Sequence, residues 1–172
     1  MRKVVSLKNE KIIAFSFVVC TGYAQNDSLP EALYKRFPTP PPFKLLMTDN
    51  SSYFAKDDLA RKKAVMIMLF SPDCEHCQHT TEEIIQHIDA FEKVQIVMST
   101  TLPFENMVEF YKKYGLKRFD NIVVGKDISY LLPTFYNIRN LPFLAFYNKK
   151  KELISVFEGA MSIEKIIEES RK

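Results

Sequence analysis

Cys74 and Cys77 are the residues whose types and spacing are best suited to covalent chemistry. In a helix, a spacing of three puts both sulfurs on one face, within reach of a disulfide bond. The pair follows an apolar stretch at 64–70 and a break at Ser71-Pro72-Asp73, so a helix is predicted to begin there. The polarised N–H groups of its first turn stabilise a thiolate at the first cysteine. The pattern predicts dithiol–disulfide exchange, with Cys74 attacking and the more buried Cys77 resolving the mixed disulfide.

The residues beside the two cysteines bear on their redox behaviour. His76, as a cation or hydrogen-bond donor, favours the thiolate and makes the disulfide more oxidising, whereas the negative charge of Glu75 opposes this effect. Asp73 and Glu75 are also the candidate proton shuttles. A permanent stabilising disulfide is the alternative, but a three-residue link closes almost no loop and restrains the unfolded chain little.

A metal site is a second alternative for the same segment. His76 and His79 could join the two thiolates as ligands of zinc or copper, in a metallochaperone or binding module. Ligands crowded into one helical turn converge poorly, and no distant Cys or His motif completes a tetrahedral set, so we predict neither a metal nor another cofactor. His79 and His87 are expected on a solvated helix face. A peroxidase is disfavoured because no Pro-x-x-x-Thr-x-x-Cys motif leads to Cys74.

The first 24 residues have the pattern of a secretory signal peptide. A basic stretch precedes a short apolar run at 12–19, and small residues at Gly22 and Ala24 predict cleavage after Ala24. The run is shorter than the about 20 residues that cross a bilayer, and an uncleaved anchor or a buried N-terminal segment is the alternative. Lipid attachment at Cys20 is disfavoured because a valine precedes it.

Without this segment the chain has balanced charge. Four of the 24 basic residues and one of the 21 acidic residues precede position 25, so 20 of each remain. No excess positive charge is left to meet phosphates, which argues against a nucleic-acid partner. Two of the three cysteines remain, too few for a disulfide-stapled scaffold.

Alternating elements are predicted to position the two cysteines. Residues 25–42 form an extended, proline-rich leader, and 43–172 form one domain. Strands are predicted at 43–47, 53–55, 64–70, 94–98, 143–147 and 153–157. Helices are predicted at 74–91, from Pro103 to Gly115, from Asp127 to Leu132 and after Ser162. The fold class is therefore α/β, with helices on both faces of a mixed central sheet and an N-terminal β-hairpin.

Residues 70–77, Phe-Ser-Pro-Asp-Cys-Glu-His-Cys, resemble the active-site segment of thioredoxin-fold proteins. The subgroup that they resemble is the TlpA/ResA-type secreted thiol-disulfide oxidoreductases, and the similarity runs from about Pro41 to the C-terminus. The shared features are the hairpin that begins at Pro42-Phe43, the 127–138 insertion, the segment 136–143 and Gly159.

The resemblance implies that the Leu141–Pro142 bond is cis and lies beside Cys74. The backbone of Leu141 would then pair with an extended substrate peptide in the manner of a strand. A trans proline at the start of an edge strand is the alternative. The chain departs from the family at Asp73, where the relatives have Trp, and at Thr80, where they have an acidic residue.

The function that the resemblance implies is a cofactor-free oxidoreductase acting on protein disulfides. Its expected location is the periplasm of a Gram-negative bacterium, soluble or anchored at the N-terminus. Similarity at Glu75 favours a reductant that a membrane electron-transfer partner recharges, whereas His76 favours an oxidant.

Overall fold

Seven strands form one mixed sheet within residues 31–172, the part of the chain that this computed structural model describes. In chain order the strands are β1 (Lys44–Met47), β2 (Tyr53–Ala55), β3 (Ala64–Leu69), β4 (Val94–Thr100), β5 (Ile122–Lys126), β6 (Phe143–Tyr147) and β7 (Leu153–Glu158). Across the sheet they follow the order β2-β1-β5-β4-β3-β6-β7. β4 is parallel to β3 and β5, and every other pair is antiparallel. The predicted mixed sheet is confirmed.

Helices cover both faces of this sheet. They are α1 (Leu33–Arg36), α2 (Glu75–Gln86), α3 (Phe104–Lys113), α4 (Leu131–Tyr136) and α5 (Ile163–Ser170). The fully buried strand β3 explains the two layers, because its side chains alternate between two hydrophobic clusters. Met66 and Met68 join the cluster that α2, α3 and α5 cover, whereas Ile67 and Leu69 join the cluster that α4 covers. The predicted α/β class with helices on both faces is therefore confirmed.

The sequence analysis missed β5, the strand that attaches the N-terminal hairpin to the rest of the sheet. Its apolar run is only three residues long, and Gly125, a residue that weakens strands, follows. Gly125 is nevertheless required, because the paired strand β1 lies so close that a Cβ added at this position would be 2.7 Å from the Cβ of Leu45. A close approach between distant segments leaves no periodic signal in the sequence.

Two predicted helices have different bounds in the structure. The helix predicted at 74–91 ends at Gln86, and a separate 3₁₀ turn, Ile88–Phe91, completes the segment. The helical piece predicted from Asp127 to Leu132 is α4, which begins later and ends at Tyr136. Tyr130, with φ of 56°, breaks the helical geometry just before α4, so Asp127 caps the helix from outside it.

The leader was predicted to be extended, but the structure shows that it is not extended throughout. Its residues 31–42 include α1, one helical turn that precedes the leader's prolines at positions 38, 40, 41 and 42 and therefore escapes their restriction on helix formation. Tyr34 of this turn packs against Tyr136, with ring centroids 6.0 Å apart. The signal peptide predicted at 1–24, with its cleavage site, and residues 25–30 lie outside the described part. None of the helices between residues 31 and 172 is long and apolar enough to cross a membrane.

Candidate active site

Cys74 lies at the N-terminus of α2, immediately after the loop that follows the central strand β3. It is the N-cap residue, and its Sγ accepts a hydrogen bond from the backbone N–H of Cys77 at 3.4 Å. The Cys74 N–H donates to the Ser71 carbonyl at 3.1 Å, which fixes the turn into the helix. The side chain is partly exposed and is not in a disulfide. A thiolate here would receive an N–H donor and the positive end of a 12-residue helix.

Cys77, one turn into the helix, is fully buried in the hydrophobic cluster beneath α2. Burial raises the pKa of its thiol to about 12, and the neighbouring Cys74 sulfur acts in the same direction, while a hydrogen bond with the Ser71 backbone opposes them. The two cysteines are therefore unequal: the first is partly exposed at the start of the helix, and the second is buried and protonated.

The Leu141–Pro142 peptide bond is cis, as expected. It immediately precedes β6, which pairs antiparallel with β3 so that Phe143 lies opposite Leu69. This register brings the bond to the same edge of the sheet as the start of α2. The Cys74 thiol points its S–H toward the Leu141 carbonyl at 3.9 Å. Strand pairing thus brings together two segments that are 67 residues apart in the chain.

Asp73, Glu75 and His76 surround the two cysteines and are exposed. Across residues 31–172, no carboxylate or imidazole hydrogen-bonds to either sulfur, so the described geometry does not identify a proton shuttle. Thr80, which stands where the relatives have an acidic residue, is buried.

Two side chains that the sequence analysis did not select hold the active-site turn in place. Gln78 donates from Nε2 to the Pro72 carbonyl at 2.7 Å, and Thr81 donates from Oγ1 to the Cys77 carbonyl at 2.8 Å. In helices, a threonine hydroxyl often donates a hydrogen bond to the carbonyl four residues earlier, so the role of Thr81 could have been found from the sequence. The Gln78 contact depends on the path of the preceding turn and leaves no such signal.

Of the other histidines, His79 lies on α2 and His87 caps its C-terminus. His79 is exposed, and its Nε2 lies 3.7 Å from Oε1 of Glu83, while the Nδ1 of His87 lies 3.0 Å from the Glu83 carbonyl. Both positions agree with the predicted solvated face. The described residues contain no group of three His, Cys, Asp or Glu side chains that could hold a metal ion.

The difference between the thiols predicts selective alkylation of the reduced, native protein. At pH 8, neutral iodoacetamide is expected to label Cys74 and to leave Cys77 unmodified. A thiol with a pKa of about 12 is a thiolate in only about one molecule in 10⁴ at this pH, and burial also blocks the reagent. Peptide mapping by mass spectrometry measures each position separately, including Cys20.

The Cys74→Ser variant is the control for this experiment. If Cys77 stays unlabelled in the variant as well, its protection comes from burial rather than from an adduct on its neighbour. Comparable labelling rates at the two positions in the native protein would contradict the assignment. Denaturation should expose both thiols to the reagent.

Comparisons with known proteins identify the fold. No protein-family model matches the chain, and no curated protein matches it by sequence. A secreted disulfide oxidoreductase of Mycobacterium tuberculosis, homologous to E. coli DsbE, is 20% identical with a TM-score of 0.64, covering 76% of this chain and 95% of its own. StoA from Bacillus subtilis is 16% identical with a TM-score of 0.58, and the match covers 77% of this chain and 98% of StoA. The peroxidoxin BcpB of M. tuberculosis is 14% identical with a TM-score of 0.65, and the match covers 77% of this chain and 94% of BcpB. The chain therefore has a thioredoxin-like fold.

Proposed function

We propose that this protein is a thiol-disulfide oxidoreductase that acts on protein disulfides through Cys74 and Cys77. One observation carries the proposal: a partly exposed sulfur caps α2 and accepts the N–H of a second, fully buried cysteine one turn away. An accessible, stabilised nucleophile next to a protected resolving thiol is the arrangement that two-step disulfide exchange requires.

The proposed reaction transfers two electrons and two protons to the substrate. The Cys74 thiolate attacks one sulfur of the substrate disulfide, the S–S bond breaks, and the departing thiolate takes up a proton. Cys77 then loses its proton and attacks the Cys74 sulfur, which releases the second substrate thiol and leaves a Cys74–Cys77 disulfide.

The mixed disulfide itself prepares Cys77 for the second step. The neighbouring Cys74 contributes to the raised pKa of Cys77 through a hydrogen bond and through charge. Both contributions end when the Cys74 sulfur is bonded to the substrate, so the pKa of Cys77 falls and burial remains as the main cause that raises it. Attachment of the substrate therefore removes the smaller of the causes that keep the Cys77 thiol protonated, while burial, the largest cause, persists.

Leu141 is the residue we propose for positioning the substrate. Its side chain is half-buried, and its backbone N–H donates no hydrogen bond within residues 31–172. A free backbone donor and a carbonyl near the nucleophile fit an extended peptide that pairs as an added strand. Pro142 has no N–H and adds no further donor, and β6 begins directly after it.

The cellular setting is proposed from the sequence. The signal-peptide pattern at 1–24 supports export, to the periplasm of a Gram-negative bacterium. There the dithiol would act as a reductant recharged by a membrane electron-transfer protein, and nucleic acid is not a partner. The similar M. tuberculosis oxidoreductase is described as secreted.

Insulin reduction tests the function. With dithiothreitol as the electron source, the reduced protein is expected to accelerate insulin precipitation well above the rate with dithiothreitol alone. The reduction potential of the couple decides the direction: a value near about −270 mV indicates a reductant, and one near about −120 mV indicates an oxidant. No acceleration of insulin reduction would contradict the enzyme assignment.

A further inference from the structure

A polar cleft of about 370 Å³ opens beside the nucleophile. One wall is the active-site segment, and the other wall is the outer face of α3. We call it the polar cleft, and its polar residues are Asp73, Gln78, Asn106, Glu109 and Lys113. Asp73 directly precedes Cys74 in the chain, so one wall of the cleft belongs to the same turn as the nucleophile.

The cleft offers mostly hydrogen-bond acceptors. Asp73 and Glu109 are exposed carboxylates, and neither has an ion-pair partner among residues 31–172. Gln78 uses its Nε2 to hold the Pro72 carbonyl, which leaves its Oε1 as an acceptor. The one ammonium group in the cleft belongs to Lys113, whose Nζ lies 4.9 Å from the centre of the Tyr114 ring.

The segment that carries the nucleophile is also acidic. Residues 70–91 contain five acidic residues and no lysine or arginine. Positions 25–172, by contrast, contain equal numbers of acidic and basic residues. Two of the five acidic residues, Asp73 and Glu75, flank the nucleophile, and the other three lie further along α2 and in the turn after it. A field of one sign around a reactive site attracts partners of the opposite charge and raises their association rate.

We propose that the polar cleft receives a cationic side chain, lysine or arginine, that lies next to the attacked cysteine in the partner protein. This inference rests on the function proposed above and names the class of its substrate. In an extended chain, a residue one or two positions from the cysteine lies about 3–7 Å along it. In this proposal its charged end lies beside Asp73 and Glu109, the two carboxylates of the cleft. A partner with an acidic residue there is repelled by the same two carboxylates.

Peptide disulfides that differ in one residue test the proposal. Three fluorogenic peptides carry Lys, Gln or Glu beside the cysteine, and kcat/KM is measured for each at about 10 mM and about 500 mM salt. We expect the Lys peptide to react about tenfold faster than the Glu peptide at low salt, with most of the difference lost at high salt. Glu109→Gln should reduce the ratio to about threefold or less, and Glu109→Lys should bring it to one or reverse it.

Glu105→Gln is the matched control, because Glu105 is exposed on the same helix but does not line the polar cleft. It should keep the wild-type ratio, and the alkylation rate of Cys74 by neutral iodoacetamide should be the same in all variants. Equal rates for the Lys and Glu peptides, or a ratio that the Glu109 variants leave unchanged, would overturn the proposal. If all three peptides react at the same rate, only this inference is refuted. If none of the peptides reacts, the proposed function is refuted with it.

Discussion

The Cys74→Ser variant is expected to lose disulfide reduction, with the rate of insulin reduction falling at least about 100-fold to the dithiothreitol background. The physical reason is that Cys77 cannot substitute for the missing nucleophile. Its sulfur is fully buried, and burial keeps the pKa of its thiol far above neutral pH. The measurement is the insulin turbidity assay with equal amounts of each protein, after circular dichroism has shown that both are folded.

The Cys77→Ser variant is expected to fail at a different step. Cys74 remains partly exposed at the start of α2, so the first attack proceeds, but no resolving thiol follows. A mixed disulfide with the substrate should accumulate to about one equivalent and appear on a non-reducing gel. In the chain that retains residues 1–24, Cys20→Ser is the control for loss of a thiol outside the pair and should keep full activity. Activity retained in Cys74→Ser, or a mixed disulfide formed through Cys77, would reverse the assigned roles.

The parts of the fold that local patterns specify were predicted correctly from the sequence. β3 is a continuous apolar run between polar segments, and it forms the central strand. Gly115 ends α3 with φ of 57°, as a C-terminal glycine cap should. The hairpins β1–β2 and β6–β7 lie where short, mostly apolar stretches flank turn residues.

The parts that long-range contacts specify were missed. β5 is a strand because β1 and β4 pair with it on either side, although Gly125 argues locally against one. α1 forms because Tyr34 finds an aromatic partner in α4, about 100 positions further along the chain. In both cases the stabilising contacts come from residues far away in sequence, so a window of neighbouring residues does not contain the information.

The same distinction applies to the candidate site. The spacing of Cys74 and Cys77 and the break before them were sufficient to place both sulfurs at the start of a helix. The approach of Leu141 to Cys74 was expected only by resemblance, since it depends on the antiparallel register of β3 and β6. The polar cleft was not anticipated, because it exists only where α3 packs beside the active-site segment.

The largest effect on stability is expected from Asp127→Ala. The side chain is fully buried, and one of its oxygens accepts hydrogen bonds from the loop before α4 while the other accepts one from the first turn of α4. Oδ1 accepts from the N–H and Oγ of Ser129 at 3.1 and 2.7 Å, and Oδ2 accepts from the N–H of Leu132 at 2.8 Å. Alanine leaves these donors without a partner, and the Leu132 N–H belongs to a fully buried residue. We expect the free energy of unfolding to fall by about 3 kcal/mol, measured by urea denaturation.

Two further variants separate the cap from a general effect of charge. Asp127→Asn keeps one acceptor oxygen but turns an NH₂ group toward a backbone N–H, so it should lose an intermediate amount, about 1–2 kcal/mol. Asp120→Ala removes an exposed carboxylate a few residues earlier and should change the free energy of unfolding by less than about 0.5 kcal/mol. Equal losses at positions 120 and 127 would show that charge rather than hydrogen bonding matters. The expected order would instead mean that one buried carboxylate fixes where α4 begins, and with it the packing of Leu132 and Phe135 on the sheet face that carries Leu69.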